Sequence, residues 1–370
     1  MVEEKDKITL FGFTSFFITL MSSGFLGMGS YIMFSITNID SYISAILGTF
    51  LGIIPLLIFS YIMKHSKNKD IIDLNMSLFG KVFGTIINII LNLVILVMSI
   101  VSLYNISQFV DIQYMPETES IYLKILILLP IAYAASKSIA TITKISQIFL
   151  FTKLGFVIVT VIGLLKSIDI NFIYPIMQNG IKEPIISSLM YVIFLTYPLF
   201  LLTIIPQNQV IKEKHQGKKI LIMFFVANLL VIIRFFLVTT ILGEDIIPML
   251  RYPEYIILKK FRLFSLVERV ENILALYFVF SNIMYQIVSF YFIITSIKKI
   301  KIFRKIKNEN TLPYVLASII LFAATIIFTN TVQAAYIIRN YVPYIIIFGM
   351  FVPVILTLIA IVIKNIKSKK

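Results

Sequence analysis

SSGFLGMGSY, residues 22–31, lies inside an apolar run that extends over 8–33. Three of the chain's 14 glycines, Gly24, Gly27 and Gly29, fall within six residues of it. A run of this length is a membrane span, since about 20 apolar residues cross the hydrocarbon layer. Glycine has no Cβ, so the backbone can leave helical geometry here and present N–H and C=O groups. At membrane depth such groups are tolerated only where they line a cavity or are buried in protein. Two readings of the motif follow: an opened helix that faces a ligand, and close helix packing through small residues.

Outward from this stretch, the sequence predicts ten spans: 8–33, 41–63, 82–110, 120–136, 146–165, 185–206, 220–243, 266–296, 312–329 and 340–363. With 59% hydrophobic residues over 370, no single soluble core could hide the apolar excess. Of the 33 Lys and Arg, 22 fall in one set of alternate connections, which includes both termini. Eight fall in the other set, and Lys124, Lys153 and Arg234 lie within spans. Both termini are therefore expected on the cytoplasmic side of a multi-pass membrane protein. The net charge of +15 is dispersed over loops with no binding module, so nucleic acid is not an expected partner. The absence of Cys excludes thiolate metal centres and cysteine nucleophiles. No nucleotide-binding or hydrolase motif is present, and neither enzymatic activity nor a cofactor is expected.

A second break is expected in span 6, where Thr196, Tyr197 and Pro198 interrupt FLTYPLFLL. Breaks at corresponding places, five spans apart, point to a transport site. They predict the antiparallel five-plus-five inverted repeat of leucine-transporter-like carriers, with helices 1 and 6 broken. The chain then forms one transporter-like domain over 1–370, with repeats at about 8–165 and 185–363. In such a fold half-helix N-termini hold a carboxylate and backbone carbonyls hold a cation.

Charged residues within spans mark function or pairing, because each costs roughly 2.5–3.5 kcal/mol to insert. Lys153, in span 5, reads either as a cavity amine that replaces a bound cation or as a lysine snorkelling to the interface. Arg234 lies nearer the centre of span 7 and calls for a structural partner. Glu268, Arg269 and Glu271 open span 8, in a structural or gating position, with Asn282 and Gln286 deeper. Tyr104 and Asn105, in span 3, are candidates to face the cavity. The expected ligand-binding set is Gly24, Gly27, Gly29, Tyr104, Thr196, Tyr197, Pro198 and Asn282, and no metal site is expected.

SSGFLGMGSYIM (22–33), IDINFIYPIMQNG (168–180) and the run from Arg251 to Phe280, RYPEYIILKKFRLFSLVERVENILALYFVF, carry a resemblance over essentially the whole length. The chain resembles the B-subunit family of spore germinant receptors, the endospore germination permeases. That family falls within the amino acid–polyamine–organocation transporter superfamily. The resemblance implies ten helices, residence in the inner spore membrane, A and C subunits as partners, and recognition of a small nutrient such as an amino acid. It also implies that Gly27 and Gly29 form the ligand-facing segment of span 1, opposite Thr196–Pro198. Two departures stand out. No proline follows the span 1 glycines, and Tyr-Pro stands in span 6 where a small residue is usual. Both leave the ligand class open. A rival reading is an autonomous proton-coupled carrier of amino acids or amines.

Overall fold

The computed structural model describes residues 7–23, 27–211, 213–260, 270–300 and 311–367. Among these the fold is all-α, with one isolated backbone bridge between Ile8 and Val210. In chain order the helices are α1 (Leu10–Ser23), α2 (Met28–Thr37), α3 (Ser41–Leu51), α4 (Ile53–His65), α5 (Ile71–Tyr114) and α6 (Ser120–Ala135). They continue with α7 (Ile139–Leu164), α8 (Lys182–Leu201), α9 (Gln216–Ile246), α10 (Pro253–Leu258) and α11 (Val270–Lys299). The last are α12 (Leu312–Ile327), α13 (Thr331–Asn340), α14 (Val342–Ile346) and α15 (Val352–Lys367). Side-chain caps start three of them: Asp70 accepts from the Asp73 amide, Ser138 from Thr141 and Asn330 from Gln333.

Seven helical runs are long and apolar enough to cross a membrane, and the α12–α13 pair, bent by 106°, makes an eighth. The two shorter apolar helices are α1 and α6. The 14 residues of α1 reach only about 21 Å at the helical rise, short of the hydrocarbon thickness. Helix 1 is interrupted where the glycines stand: α1 ends at Ser23, and Gly27 takes φ 77° and ψ −91° before α2 begins. Gly24 lies outside the described residues.

Span 6 differs from the expectation. Helix α8 runs through Thr196, Tyr197 and Pro198 to Leu201, then tightens into a 3₁₀ turn at Leu202–Ile204. Proline removes one N–H bond, but the helix absorbs that loss without opening. Thr196 Oγ1 donates to the Val192 carbonyl at 2.6 Å, a back-bond that favours a bend within a continuous helix. Breaks at Gly80 within α5 and Gly243 within α9, with φ of 77° and 73°, fall at the expected ends of spans 3 and 7, although helix continues past both. The α12–α13 bend falls at the expected end of span 9, and a π-helical turn at Ile347–Phe351 lies within span 10.

Burial sorts the helices into a centre and a rim. In α8 and α11, 72% of the apolar window is buried inside the protein, against 22% in the run that contains α7. Lipid offers no hydrophobic drive for helix association, so close packing and hydrogen bonds hold the centre. Gly48 of α3 shows how close: a Cβ there would stand 2.6 Å from Tyr191 Cδ1 of α8. The loop 168–180 is pinned at the α2–α3 junction, where the Met177 amide donates to both Asp40 carboxylate oxygens at 3.2 and 3.1 Å.

We expect Gly48→Val to destabilise the protein by about 1–3 kcal/mol through overpacking against Tyr191. At Gly155 an added Cβ meets nothing within 4 Å, so Gly155→Ala is expected to be neutral or slightly stabilising. Melting temperatures in detergent compare the two, and equal effects would contradict the packing assignment.

Candidate functional site

The interruption of helix 1 leaves two helix ends inside the protein, and each meets a charge of the opposite sign. At the C-terminal end of α1, the Lys153 ammonium donates to Ser22 Oγ and lies 5.1 Å from the centre of the Tyr277 ring. Arg234 of α9 donates to the Ser22 carbonyl at 3.5 Å. Two cations thus stand where the helix dipole is negative. Lys153 is only 2% exposed, which removes the snorkelling alternative. At the N-terminal end of α2, the Glu254 carboxylate of α10 faces Ser30, the Gly27 amide and Arg234.

A central cavity of about 40 Å³ lies beside the break. Ser23 and Met28 flank it from the two halves of helix 1. Helix α5 contributes Met98, Val101, Ser102 and Asn105, spaced as one helical face. Phe194 and Tyr197 come from α8, Asn282 and Tyr285 from α11, and Ile338 from α13. The Tyr197 and Tyr285 rings lie 5.3 Å apart, and the Ser289 hydroxyl is 3.4 Å from that of Tyr197. Asn282 donates to the Phe278 carbonyl at 3.0 Å, while Ser102 Oγ is buried without a hydrogen-bond partner. The lining carries no charged side chain. It suits a small guest with both polar and apolar parts, held by hydroxyl, amide and aromatic groups.

Of the sequence-predicted residues, Tyr197 and Asn282 line this cavity. Gly27 stands at the break against Asn105, whose Oδ1 is 2.6 Å from the place a Cβ would take. Gly29 is buried in the first turn of α2. Thr196 and Pro198 flank Tyr197 on α8 but are not among the lining residues. Tyr104 is turned elsewhere: its ring packs on Phe328 at 4.4 Å, and its hydroxyl donates to Gln108 at 3.1 Å. Arg251 lies 5.4 Å above that ring. Glu268, Arg269 and the Glu271 side chain lie outside the described residues. The face Met98–Val101–Ser102–Asn105 was available as an i, i+3, i+4, i+7 pattern; within an unbroken apolar run it carries little contrast. Phe194 and Tyr285 gave no sequence signal.

Both ends of the central region are closed. At one end Tyr252, just before α10, donates to the Asn105 carbonyl at 3.2 Å and packs among Phe109 and Phe278. At the other end Lys299 of α11 pairs with Asp70 and Asp73 at the start of α5. Burial pushes the Asp70 carboxyl above the usual carboxylate range, against the hydrogen bond from Lys299. Asn75, Asn88 and Thr357 extend this polar closure, with Asn75 donating to Asn88 at 2.9 Å and Thr357 to Asn75 at 2.8 Å.

Helices long and apolar enough to cross a membrane, around a cavity of mixed polarity at a helix break, fit a multi-pass membrane protein of the permease class. Within that class, residues 8–335 match the family described as spore germination protein (spore permease), and the chain belongs to that family. A role in germination, as receptor or permease, follows from this membership. No curated protein matches the sequence.

The Lys153 geometry makes a direct prediction. Lys153→Ala removes the cation from the end of α1 and leaves a void, and is expected to cost about 2 kcal/mol or more. Lys153→Arg should recover little, because the planar guanidinium does not fit a site shaped for a compact ammonium. Melting temperatures in detergent test both, and an arginine variant indistinguishable from wild type would refute the close fit.

Proposed function

We propose that the chain is the B-type subunit of a nutrient germinant receptor, which binds a small nutrient, an amino acid, in the central cavity. The observation that carries this reading is the position of the cavity. It adjoins the opened helix 1 and is walled by spans 3, 6 and 8. Occupancy would shift an equilibrium between closed and open arrangements, as it can when the ligand prefers one of them. The A and C subunits would read that shift at the inner spore membrane. The reading includes ten spans in a leucine-transporter-like five-plus-five repeat, with both termini cytoplasmic. Gly27, Gly29, Tyr197 and Asn282 contact the ligand in this reading. Asn105, Ser102 and Tyr285 join them from the cavity wall. Lys153 stands for the cation of ion-driven carriers.

One observation favours a second reading. A buried ammonium at the break suits a carrier that couples to protons, so autonomous transport of an amino acid or amine is the alternative. Uptake by proteoliposomes that contain the chain alone would establish it. A response that needs the partner subunits, without uptake, would establish the sensor.

Gly27→Val tests the ligand site. A branched side chain at φ 77° is strained and would meet Asn105 and Tyr252, so ligand response should be lost while membrane insertion persists. Germination response, together with a thermal-shift screen against the twenty amino acids, nucleosides and simple sugars, reads the outcome. An unchanged response would remove the break from the site. Orientation is tested on the cysteine-free chain. A Cys at Asn308 should be shielded from an impermeant thiol reagent in intact cells, and one at exposed Glu117 should react. Reversed labelling would invert the topology.

A further inference from the structure

Near the break, α1, α7, α9, α10 and α11, with Phe109 of α5, surround a second cavity of about 100 Å³ that shares no lining residue with the central one. Most of its wall is hydrocarbon, including Phe156, Val161, Leu230, Leu237, Leu258 and Phe278. At one end the wall turns polar, with Ser22, Lys153, Arg234, Glu254 and Tyr277. We infer that this cavity is a second small-molecule site, which takes an apolar α-amino acid with its carboxylate on Arg234 and its ammonium on Glu254.

Two charges of opposite sign that share a cavity in apolar surroundings should pair directly, because each is costly alone. Arg234 and Glu254 do not. They attract each other through space, yet among the described residues neither enters an ion pair within 4.0 Å. Arg234 Nε and Glu254 Oε1 are both buried without a hydrogen-bond partner. The one direct hydrogen bond of Arg234, to the Ser22 carbonyl, is long at 3.5 Å. Lys153, by contrast, is engaged by Ser22 and Tyr277. An unfilled donor and an unfilled acceptor therefore belong to residues that line the same space.

The guest that completes this arrangement accepts from the guanidinium, donates to the carboxylate and fills an apolar volume. Water satisfies the polar end and leaves the hydrocarbon wall empty. An acyl chain fills the wall and leaves the charges unmatched. A zwitterion with a short branched side chain does both. The volume of about 100 Å³ lies below the roughly 150 Å³ of a cavity that admits benzene, which limits the side chain to an aliphatic one no larger than that of leucine. The site is distinct from the central cavity and does not depend on what that cavity binds. Helix α10 forms part of its wall, and the adjoining Tyr252 packs against the Gly27 position, so occupancy bears on the same break.

Equilibrium dialysis of the purified full-length chain in detergent, with radiolabelled L-leucine as the probe, tests the assignment. Wild type should bind leucine, and Glu254→Gln and Arg234→Gln should each weaken binding about tenfold or more. The leucine binding that remains in Tyr197→Leu, which alters the central cavity, should still be weakened about tenfold or more by Glu254→Gln. Competition on the wild type needs no variant: isoamylamine, which lacks the carboxylate, and isocaproate, which lacks the amine, should each compete about tenfold more weakly than leucine. Three results would overturn the site. One is the absence of leucine binding, with co-purified phospholipid in its place. Another is binding that Tyr197→Leu abolishes and Glu254→Gln spares. The third is competition by either analogue as strong as that by leucine itself.

Discussion

An opened helix inside a membrane must satisfy peptide groups that neither water nor its own ladder can reach. In helix 1 that constraint is met with the polar ends of titratable side chains. Lys153 and Arg234 meet the last turn of α1 through Ser22, and Glu254 meets the first turn of α2. The signs follow the helix dipole at both ends. Three separate elements, α7, α9 and α10, deliver these groups, so the break is where distant parts of the sequence are held together.

The surroundings of the break make sense on this footing. Helices α5, α8 and α11 are the buried centre, and their polar side chains bond between helices. Gln286 of α11, for example, donates to the Ser99 carbonyl of α5 at 3.1 Å. The closure by Tyr252 and Asn105 and the closure by Lys299 with Asp70 and Asp73 both involve α5. Gly80 interrupts α5 between the two, so the short segment before it carries one closure and the long segment after it the other.

The apolar periodicity and glycine content made the membrane character and the break in helix 1 legible. Lys153 could be singled out because a charge is conspicuous in a span. Pro198 misled, because losing one hydrogen bond bends a helix without opening it. Tyr104 and Asn105 are adjacent, and a rotation of about 100° between them decides which faces the cavity. The apolar context does not fix that phase. In the sequence Glu254 is one of several charged residues in the run from Arg251 to Phe280. Only the fold shows that α10 carries it inward, since a contact 224 residues or more from the break has no local signature. Gly80 and Gly243 stand at the expected ends of spans 3 and 7, and what the polar residues beyond them hid is that helix continues past each break.

The attachment of Lys153 to its own chain has a further consequence. A dissolved ion occupies its site according to its concentration, and leaves when the surrounding salt is depleted or exchanged. An ammonium tethered to α7 is present at a fixed effective concentration, whatever the composition of the bath. The electrostatic balance at the break thus travels with the polypeptide through changes of salt and water content.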